Sequence, residues 1–417
     1  MSAQASAIKD RVLFVTYGGG HAAALAPVMV ALDRASVPWH ALALTTAQSQ
    51  LARQGLATLS MAEIADAIPG YRGVRRVGRL LAREQNRHSA VSFEETETYL
   101  GVGFHALARS VGLPQAKAAY AEGGRQRFRP TEFFHAWFCR QRPAAVVATS
   151  APRSERAALE AARDLGIPSV CVVDLYAPFE IEWCASPGYA SRICVLNKPV
   201  ARRFLDRSVP EERVVVTGNP ALDRLALLDV GRLRRESRAA MGIADDQSLV
   251  SWMSQPEPER HPFSGVVGDP RLPEDTERHL AGGMAQRPML QLVMRLHPSE
   301  DRPRTLVGPR IRYSDSTQPL DALLCASDCV VTCSSTVGLE AALLGIPVVQ
   351  CMDSIFSPDL PLAELGYARA VDRHLQLWPV IDDVLRTTPR GVAQRAAGSG
   401  AFGAAERIAN QITQLLN

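Results

Sequence analysis

The chain carries almost no excess charge: 46 Lys+Arg against 43 Asp+Glu leave a formal net charge of +3 over 417 residues. That balance excludes binding of nucleic acid through a global positive field. Lysine is nearly missing, standing only at Lys9, Lys117 and Lys198. The basic residues are therefore almost all arginine, a skew to which no function attaches. The eight cysteines (Cys139, Cys171, Cys184, Cys194, Cys325, Cys329, Cys333 and Cys351) contain no Cys-x-x-Cys pair. Several lie inside apolar, strand-like runs and read as small buried hydrophobes of a reducing compartment. No apolar run approaches the ~20 residues that span a bilayer. Met1 to Asp10 has no apolar signal core, so a cytoplasmic address is expected. No internal repeat or low-complexity tract stands out.

What is present is an ordinary globular composition, 47% apolar and 21% charged. The length exceeds one compact core, and two domains of roughly 200 residues each are expected. The most informative stretch is Asp328-Cys-Val-Val-Thr-Cys-Ser-Ser-Thr-Val-Gly-Leu-Glu-Ala-Ala-Leu-Leu-Gly-Ile-Pro-Val-Val349. It reads as a buried strand (Cys329 to Thr332), a polar turn (Cys333 to Thr336), a helix to Leu344 and a strand opened by Pro347. This is a βαβ unit of a parallel sheet. Ser334, Ser335 and Thr336 stand where the first helical N–H groups lack partners, a place suited to a phosphate. Glu340, four residues on, could accept hydrogen bonds from sugar hydroxyls. The competing reading is a plainly capped helix.

The same rhythm opens the chain. Arg11 to Tyr17 is a strand, and Gly18-Gly-Gly-His21 turns into a helix running to Leu32. Three glycines allow a tight turn and close approach of a ligand to the backbone. The pattern is not Gly-x-Gly-x-x-Gly, which weakens a dinucleotide reading. His21, at a strand's carboxyl end, is either a base or acceptor-binding donor, or a helix-start residue exposed to water. Trp39 to Leu44 is a second strand. From Tyr71 to Arg87 a helix is expected with Val74, Val77, Leu80 and Leu81 on one face. Arg72, Arg75, Arg76, Arg79, Arg83 and Arg87 crowd the remainder. Such a segment rests on anionic lipid, binds an anionic acceptor, or, more often, is a solvated face. Phe93 to Gly101 clusters three carboxylates with two aromatics, a contribution to an acceptor pocket that spacing alone does not establish.

Strands follow at Ala144–Ser150, Ser169–Leu175 (ending at Asp174), Arg192–Leu196 and Arg213–Asn219, closing a first domain over residues 8–228. A second spans 229–400, with strands at Ser248–Met253, Leu290–Leu296 and Arg310–Tyr313. Gln255 to Pro288 is expected as a mobile loop. A helix at 401–417 ends the chain. Three second-domain strands end in ligand-type residues: Ser254-Gln255, Arg295 with His297-Pro298, and Ser334-Ser335-Thr336 with Glu340. All such ends face one crevice, where a nucleotide phosphate could meet them together.

In the order of these motifs the sequence resembles the GT-B superfamily of nucleotide-sugar glycosyltransferases and the related UDP-N-acetylglucosamine 2-epimerases, over nearly the whole chain. Gly18-Gly-Gly-His21 is similar to the first loop of the lipid-intermediate N-acetylglucosaminyltransferase and glycolipid glycosyltransferases, which makes His21 a candidate base. Val216-Thr-Gly-Asn-Pro220 is similar to the end of the first domain in both groups. Arg295-Leu-His-Pro298 with Ser334-Ser-Thr336 resembles the donor-phosphate elements of bacterial sialyl- and Kdo-transferases and polyol-phosphate polymerases. The helix from Ser335 to Pro347 resembles that of capsule glycosyltransferases, implying that Glu340 binds the nucleotide ribose. The epimerases' His-Arg-x-Glu-Asn element is missing, and Arg295-Leu-His-Pro298 stands in its region. There is no Asp-x-Asp turn, consistent with a metal-free mechanism.

The resemblance implies an α/β protein of two Rossmann-like, doubly wound domains facing a cleft. The expected activity is transfer of a sugar from a nucleotide-sugar to a polysaccharide or glycolipid acceptor in bacterial surface-glycan assembly, at the inner membrane face. The nucleotide-sugar is co-substrate and no other cofactor is expected. Catalysis would use His21, Asp174 or Glu180. Gly18, Gly19, Gly20, Gln255, Arg295, His297, Pro298, Ser334, Ser335, Thr336 and Glu340 would bind substrate. A sugar-nucleotide 2-epimerase or hydrolase and a non-catalytic sugar-nucleotide-binding subunit are the alternatives.

Overall fold

The computed structural model describes residues 9–83, 90–314, 317–388 and 402–417. They fall into two compact units, one within Met1–Asp223 and Gly400–Asn417, the other within Arg224–Ser399. The first holds strands β1 (Val12–Thr16), β2 (Trp39–Ala43), β3 (Ala145–Thr149), β4 (Ser169–Val172), β5 (Arg192–Val195) and β6 (Val214–Val216). They form one parallel sheet in the order β2-β1-β3-β4-β5-β6. The central strands β1 and β3 are buried at every residue, as strands covered on both faces must be. Beyond β2 a third position on that side shrinks to a parallel bridge, Leu42 to Leu59.

The second unit holds β7 (Ser248–Met253), β8 (Leu290–Arg295), β9 (Ile311–Ser314), β10 (Cys329–Thr332), β11 (Val348–Cys351) and β12 (Arg369–Val371). All pairings are parallel and the order is β12-β11-β10-β7-β8-β9. Read in order of appearance this is the 3-2-1-4-5-6 arrangement of a Rossmann sheet. In each sheet the chain reverses its direction of winding beside the first strand, between β1 and β3 and between β7 and β10. These switch points are where doubly wound folds bind ligands.

Four expectations change. The closing helix, Ala404–Leu416, joins the first unit: Ala405, Ile408, Ala409 and Ile412 pack into the core under helix Gly20–Arg34. The basic helix covers Arg75–Ala82, but it buries Gly78 and Ala82 beside Val74, leaving Val77 and Leu80 37% and 60% exposed. The reason is close helix packing, since a Cβ on Gly78 would lie 1.7 Å from the Glu97 carbonyl oxygen. Arg87 lies outside the described residues. Gln255 to Pro288 is no open loop: it contains helix Leu272–Gly282 and is pinned through Glu257, which accepts from Ser354 Oγ at 2.6 Å and the Ile355 N–H at 2.8 Å. Phe93 to Gly101 lies within helix Phe93–Val111, where buried Glu97 pairs with Arg79 at 2.6 Å.

Candidate functional site

At the first switch point helix Gly20–Arg34 starts directly after β1, which sets His21 on its first turn. Gly19 has φ 69°, a left-handed conformation that glycine adopts without penalty. The missing Cβ of Gly18 is filled by this chain's own Thr46, whose Oγ1 would lie 1.6 Å from it. That glycine serves internal packing, while Gly19 and Gly20 have open space where a Cβ would be.

Thr149, the last residue of β3, donates its hydroxyl proton to Glu155 Oε1 at 3.0 Å and meets His21 Nδ1 at 2.9 Å. A hydroxyl has one proton to give, so it must accept from the ring. The imidazole proton therefore sits on Nδ1, and Nε2 keeps the lone pair. Glu155 is buried, on the first turn of helix Ser154–Asp164, and its Oε1 also accepts the Tyr17 N–H at 3.1 Å. The chain Glu155–Thr149–His21 thus crosses the switch point and presents a basic nitrogen, as a carboxylate-oriented histidine base does. Sequence reasoning missed Glu155 and Thr149. An acidic residue at a helix start reads as a dipole partner, and nothing local says that it turns into the sheet.

Asp174, after β4, and Glu180 surround the same place. Burial pushes both carboxyls above their ordinary range; a positive charge on the nearby His21 ring would oppose this, and Asp174 additionally raises Glu180. The connecting loop carries positive φ at Leu175 (45°) and Ala177 (48°), the kind of backbone strain that concentrates at functional sites. The three residues expected to be catalytic are thus electrostatic neighbours at one sheet edge.

At the second switch point Gln255, after β7, reaches across to β10. Its Oε1 accepts the Ser334 N–H at 2.8 Å and its amide donates to Ser354 Oγ at 3.1 Å. With both ends committed and the side chain buried, Gln255 shapes the turn. Ser335 caps helix Thr336–Leu343, its Oγ accepting the Val337 N–H at 3.2 Å. Among the described residues nothing accepts from the N–H of Ser335 or Thr336, and Thr336 is exposed.

On the other side of β7, His297 Nδ1 accepts the Ser299 N–H at 3.2 Å. The ring proton is therefore on Nε2, making exposed His297 a donor suited to an anion, the opposite polarity to His21. The His297 N–H donates to Glu300 Oε2 at 2.8 Å, and Ser254 Oγ donates to Glu300 Oε1 at 3.0 Å. Arg302 braces this turn, contacting Glu300 at 3.1 Å and Glu277 at 2.9 Å. Pro298 is exposed in the same turn. Glu300 and Arg302 are the positioning residues that reading the motif missed.

Two expected ligands are engaged elsewhere. Arg295 donates to Ser314 Oγ at 3.0 Å and the Gln318 carbonyl at 2.8 Å. Glu340 is paired with Arg224, which also holds Asp321 at 2.7 Å; burial nonetheless raises the Glu340 carboxyl. Anion contacts at this rim would therefore come from His297, the 335 and 336 N–H groups and hydroxyls. Among the described residues no group of three or more His, Cys, Asp or Glu could hold a metal ion, and no helix is long and apolar enough to cross a membrane.

No protein-family model matches the chain, and no curated protein does. Solved structures do match. UDP-GlcNAc 2-epimerase from Methanocaldococcus jannaschii is 14% identical over 97% of this chain and 99% of that one, with a TM-score of 0.59. The enzyme from Neisseria meningitidis bound to UDP-GlcNAc is 13% identical over 97% and 99%, at 0.58. The glycotransferase of kitacinnamycin is 16% identical over 98% and 100%, at 0.54. The chain shares with them the fold, two Rossmann-like domains of the GT-B type.

Proposed function

We propose that the protein is a glycosyltransferase that moves a sugar from a nucleotide-sugar to a glycan or glycolipid hydroxyl. The observation that carries this reading is the Glu155–Thr149–His21 chain, which leaves His21 Nε2 ready to take a proton from an acceptor. The donor's phosphate would rest on the second unit, on the Ser334–Thr336 turn and the His297 Nε2–H. There hydrogen bonds to the leaving phosphate supply the stabilisation without a metal. Asp174 and Glu180, their carboxyls raised by burial, would bind sugar hydroxyls or take part in the proton transfer. Gln255, Glu300 and Arg302 would fix the rim.

A 2-epimerase is the second reading. Two observations favour it: several of the matching solved structures carry that name, and paired carboxyls with raised affinity for protons suit removal and return of a proton on one substrate. Incubation with UDP-N-acetylglucosamine in the absence of acceptor separates the two. Release of N-acetylmannosamine or its nucleotide supports the epimerase, whereas turnover that requires an added hydroxyl acceptor supports the transferase. Absence of both, with UDP bound, would leave a sugar-nucleotide-binding subunit and defeat the proposal.

A further inference from the structure

Beside the Glu155–Thr149–His21 chain stands a cation that the protein does not pair. Arg153, four residues beyond Thr149, is half-buried and lies over the ring of Tyr17, its Cζ 4.7 Å from the centroid. Tyr17 directly follows β1, so the guanidinium sits at the carboxyl ends of β1 and β3, on the rim that carries His21. Its Nη1 donates to Gln126 Oε1 at 2.7 Å. Nε is buried with no partner, and Nη2 has none either but stays open to solvent. Among the described residues Arg153 forms no ion pair. Glu155, two residues on, is committed to Thr149 and the Tyr17 N–H. Arg234 and Arg302, half-buried in the same way, each hold a carboxylate.

Tyr99 adds an independent sign. It is 4% exposed, its ring is 5.8 Å from that of Tyr17, and its hydroxyl has no partner. Burial raises this phenol, and Arg153 is the first influence that opposes it, so the hydroxyl lies in the field of the guanidinium without bonding to it. A partly desolvated charge and a buried hydroxyl, both unsatisfied at one rim, cost stability that purely structural groups avoid. Gln126 and the Tyr17 ring hold the guanidinium with Nε–H and Nη2–H bare. These two share one edge, the fork that meets both oxygens of a carboxylate or phosphate. A neutral hydroxyl would fill the space but would not offset the desolvated charge.

We propose that Arg153 seats an anionic group of the acceptor, a carboxylate or a phosphate, so that the hydroxyl offered to His21 belongs to a negatively charged glycan. This rests on the transferase reading and names its substrate class. In the transfer, the acceptor oxygen bonds to the anomeric carbon, its proton goes to His21 Nε2, and the bond to the nucleotide phosphate breaks with its electron pair leaving on the phosphate. Arg153 binds and orients, and exchanges no proton.

The binding step is tested without turnover by following the arginine Nε–H signals of the ¹⁵N-labelled full chain during titration with inorganic phosphate and with acetate, against chloride at equal ionic strength. The Arg153 signal, identified by its disappearance in Arg153→Lys, should shift saturably with at least one anion and not with chloride. The anion that saturates first tells phosphate from carboxylate, and a signal that neither moves overturns the proposal. Transfer from UDP-N-acetylglucosamine to methyl glucoside is then compared with transfer to methyl glucuronide and to methyl glucoside 6-phosphate. Arg153→Gln should raise KM for the favoured anionic acceptor about ten- to a hundredfold, leaving kcat and the KM of the neutral acceptor near native and the melting temperature not lowered. Arg153→Lys, which keeps the charge without the fork, should recover part of the loss. Equal use of the neutral acceptor, an Arg153→Gln that slows all acceptors alike, or one that weakens UDP binding instead would overturn the proposal. Anion binding at Arg153 with no transfer to any acceptor would uphold the anion subsite and count against the transferase reading alone.

Discussion

Replacing Thr149 by valine removes one hydroxyl at nearly constant volume and cuts the chain that orients His21. Three bonds go, the 2.9 Å contact from His21 Nδ1, the 3.0 Å contact to Glu155 and the 3.4 Å bond from the Ala151 N–H. Glu155 retains the Tyr17 N–H at 3.1 Å, so the fold should survive with a loss of about 1–3 kcal/mol for the partly orphaned carboxylate. In turnover, a hydrogen bond to a group that becomes charged is worth about 1.5–3 kcal/mol. At 1.36 kcal/mol per factor of ten, kcat should fall about ten- to a hundredfold. Thr149→Ser keeps the hydroxyl and should recover most of that. The assay is release of UDP from a sugar-nucleotide under saturating conditions, paired with long-range ¹H–¹⁵N spectra of the imidazoles. The native His21 should show Nδ1 protonated and Nε2 bare, and the valine variant a mixture of tautomers. Native kcat in the Thr149→Val enzyme, or an Nε2-protonated His21 in the native one, would refute the reasoning.

Three further outcomes follow from the packing. Glu95 is buried, accepts the Ala62 N–H at 3.1 Å, and has its other oxygen unpartnered; burial pushes its carboxyl up to about 7. Since the folded state then holds the proton more tightly, stability should fall as pH rises from about 4.5 through 7, by on the order of 2–3 kcal/mol. Glu95→Gln, mimicking the protonated form, should flatten that dependence in urea titrations at pH 5.5 and 8; a variant equally destabilised at both would contradict it. Asp328→Ala strands two arginines, Arg234 and Arg238 (the latter 3.1 Å away and buried), and removes the acceptor of the Leu249 N–H at 2.8 Å. It should cost about 3–5 kcal/mol in denaturant unfolding, and a loss under about 1 kcal/mol would count against a structural role. Gly78→Ala would ordinarily stabilise an exposed helix by about 0.5–1 kcal/mol. Here it should instead destabilise by about 1–3 kcal/mol, because of its contact with the Glu97 carbonyl, and a raised melting temperature would show the packing to be wrong.

Much of the fold was legible because parallel strands are short apolar runs bounded by glycine, proline and capping residues. Cys329–Thr332 and Val12–Thr16 announce themselves this way, as does the Ser335 cap. The layer between β2 and β3 was not. Its helices mix alanine, arginine and glycine, and Gly78 and Gly101 define a buried face that an apolar pattern cannot show. The helix Ala404–Leu416 was legible as a helix, but its return to the first unit depends on a distant core that its own periodicity does not name. At the site, motif residues were found where strands end, whereas their governors were not. Thr149 with Glu155 acts on His21 across a sequence separation that only the folded sheet closes, and Glu300 and Arg302, though local to His297, are fixed by Ser254 and Glu277 from distant segments. Arg295 and Glu340 show the converse, ligand-type residues in the expected place whose charges the protein itself engages.

The most direct test of the account is calorimetric titration of UDP into the native chain and into His297→Ala. The account predicts that UDP binds the native protein, and that loss of the Nε2–H donor weakens binding about tenfold or more while leaving the melting temperature of the unliganded protein unchanged. Failure of the native chain to bind UDP, or binding that His297→Ala leaves untouched, would contradict it.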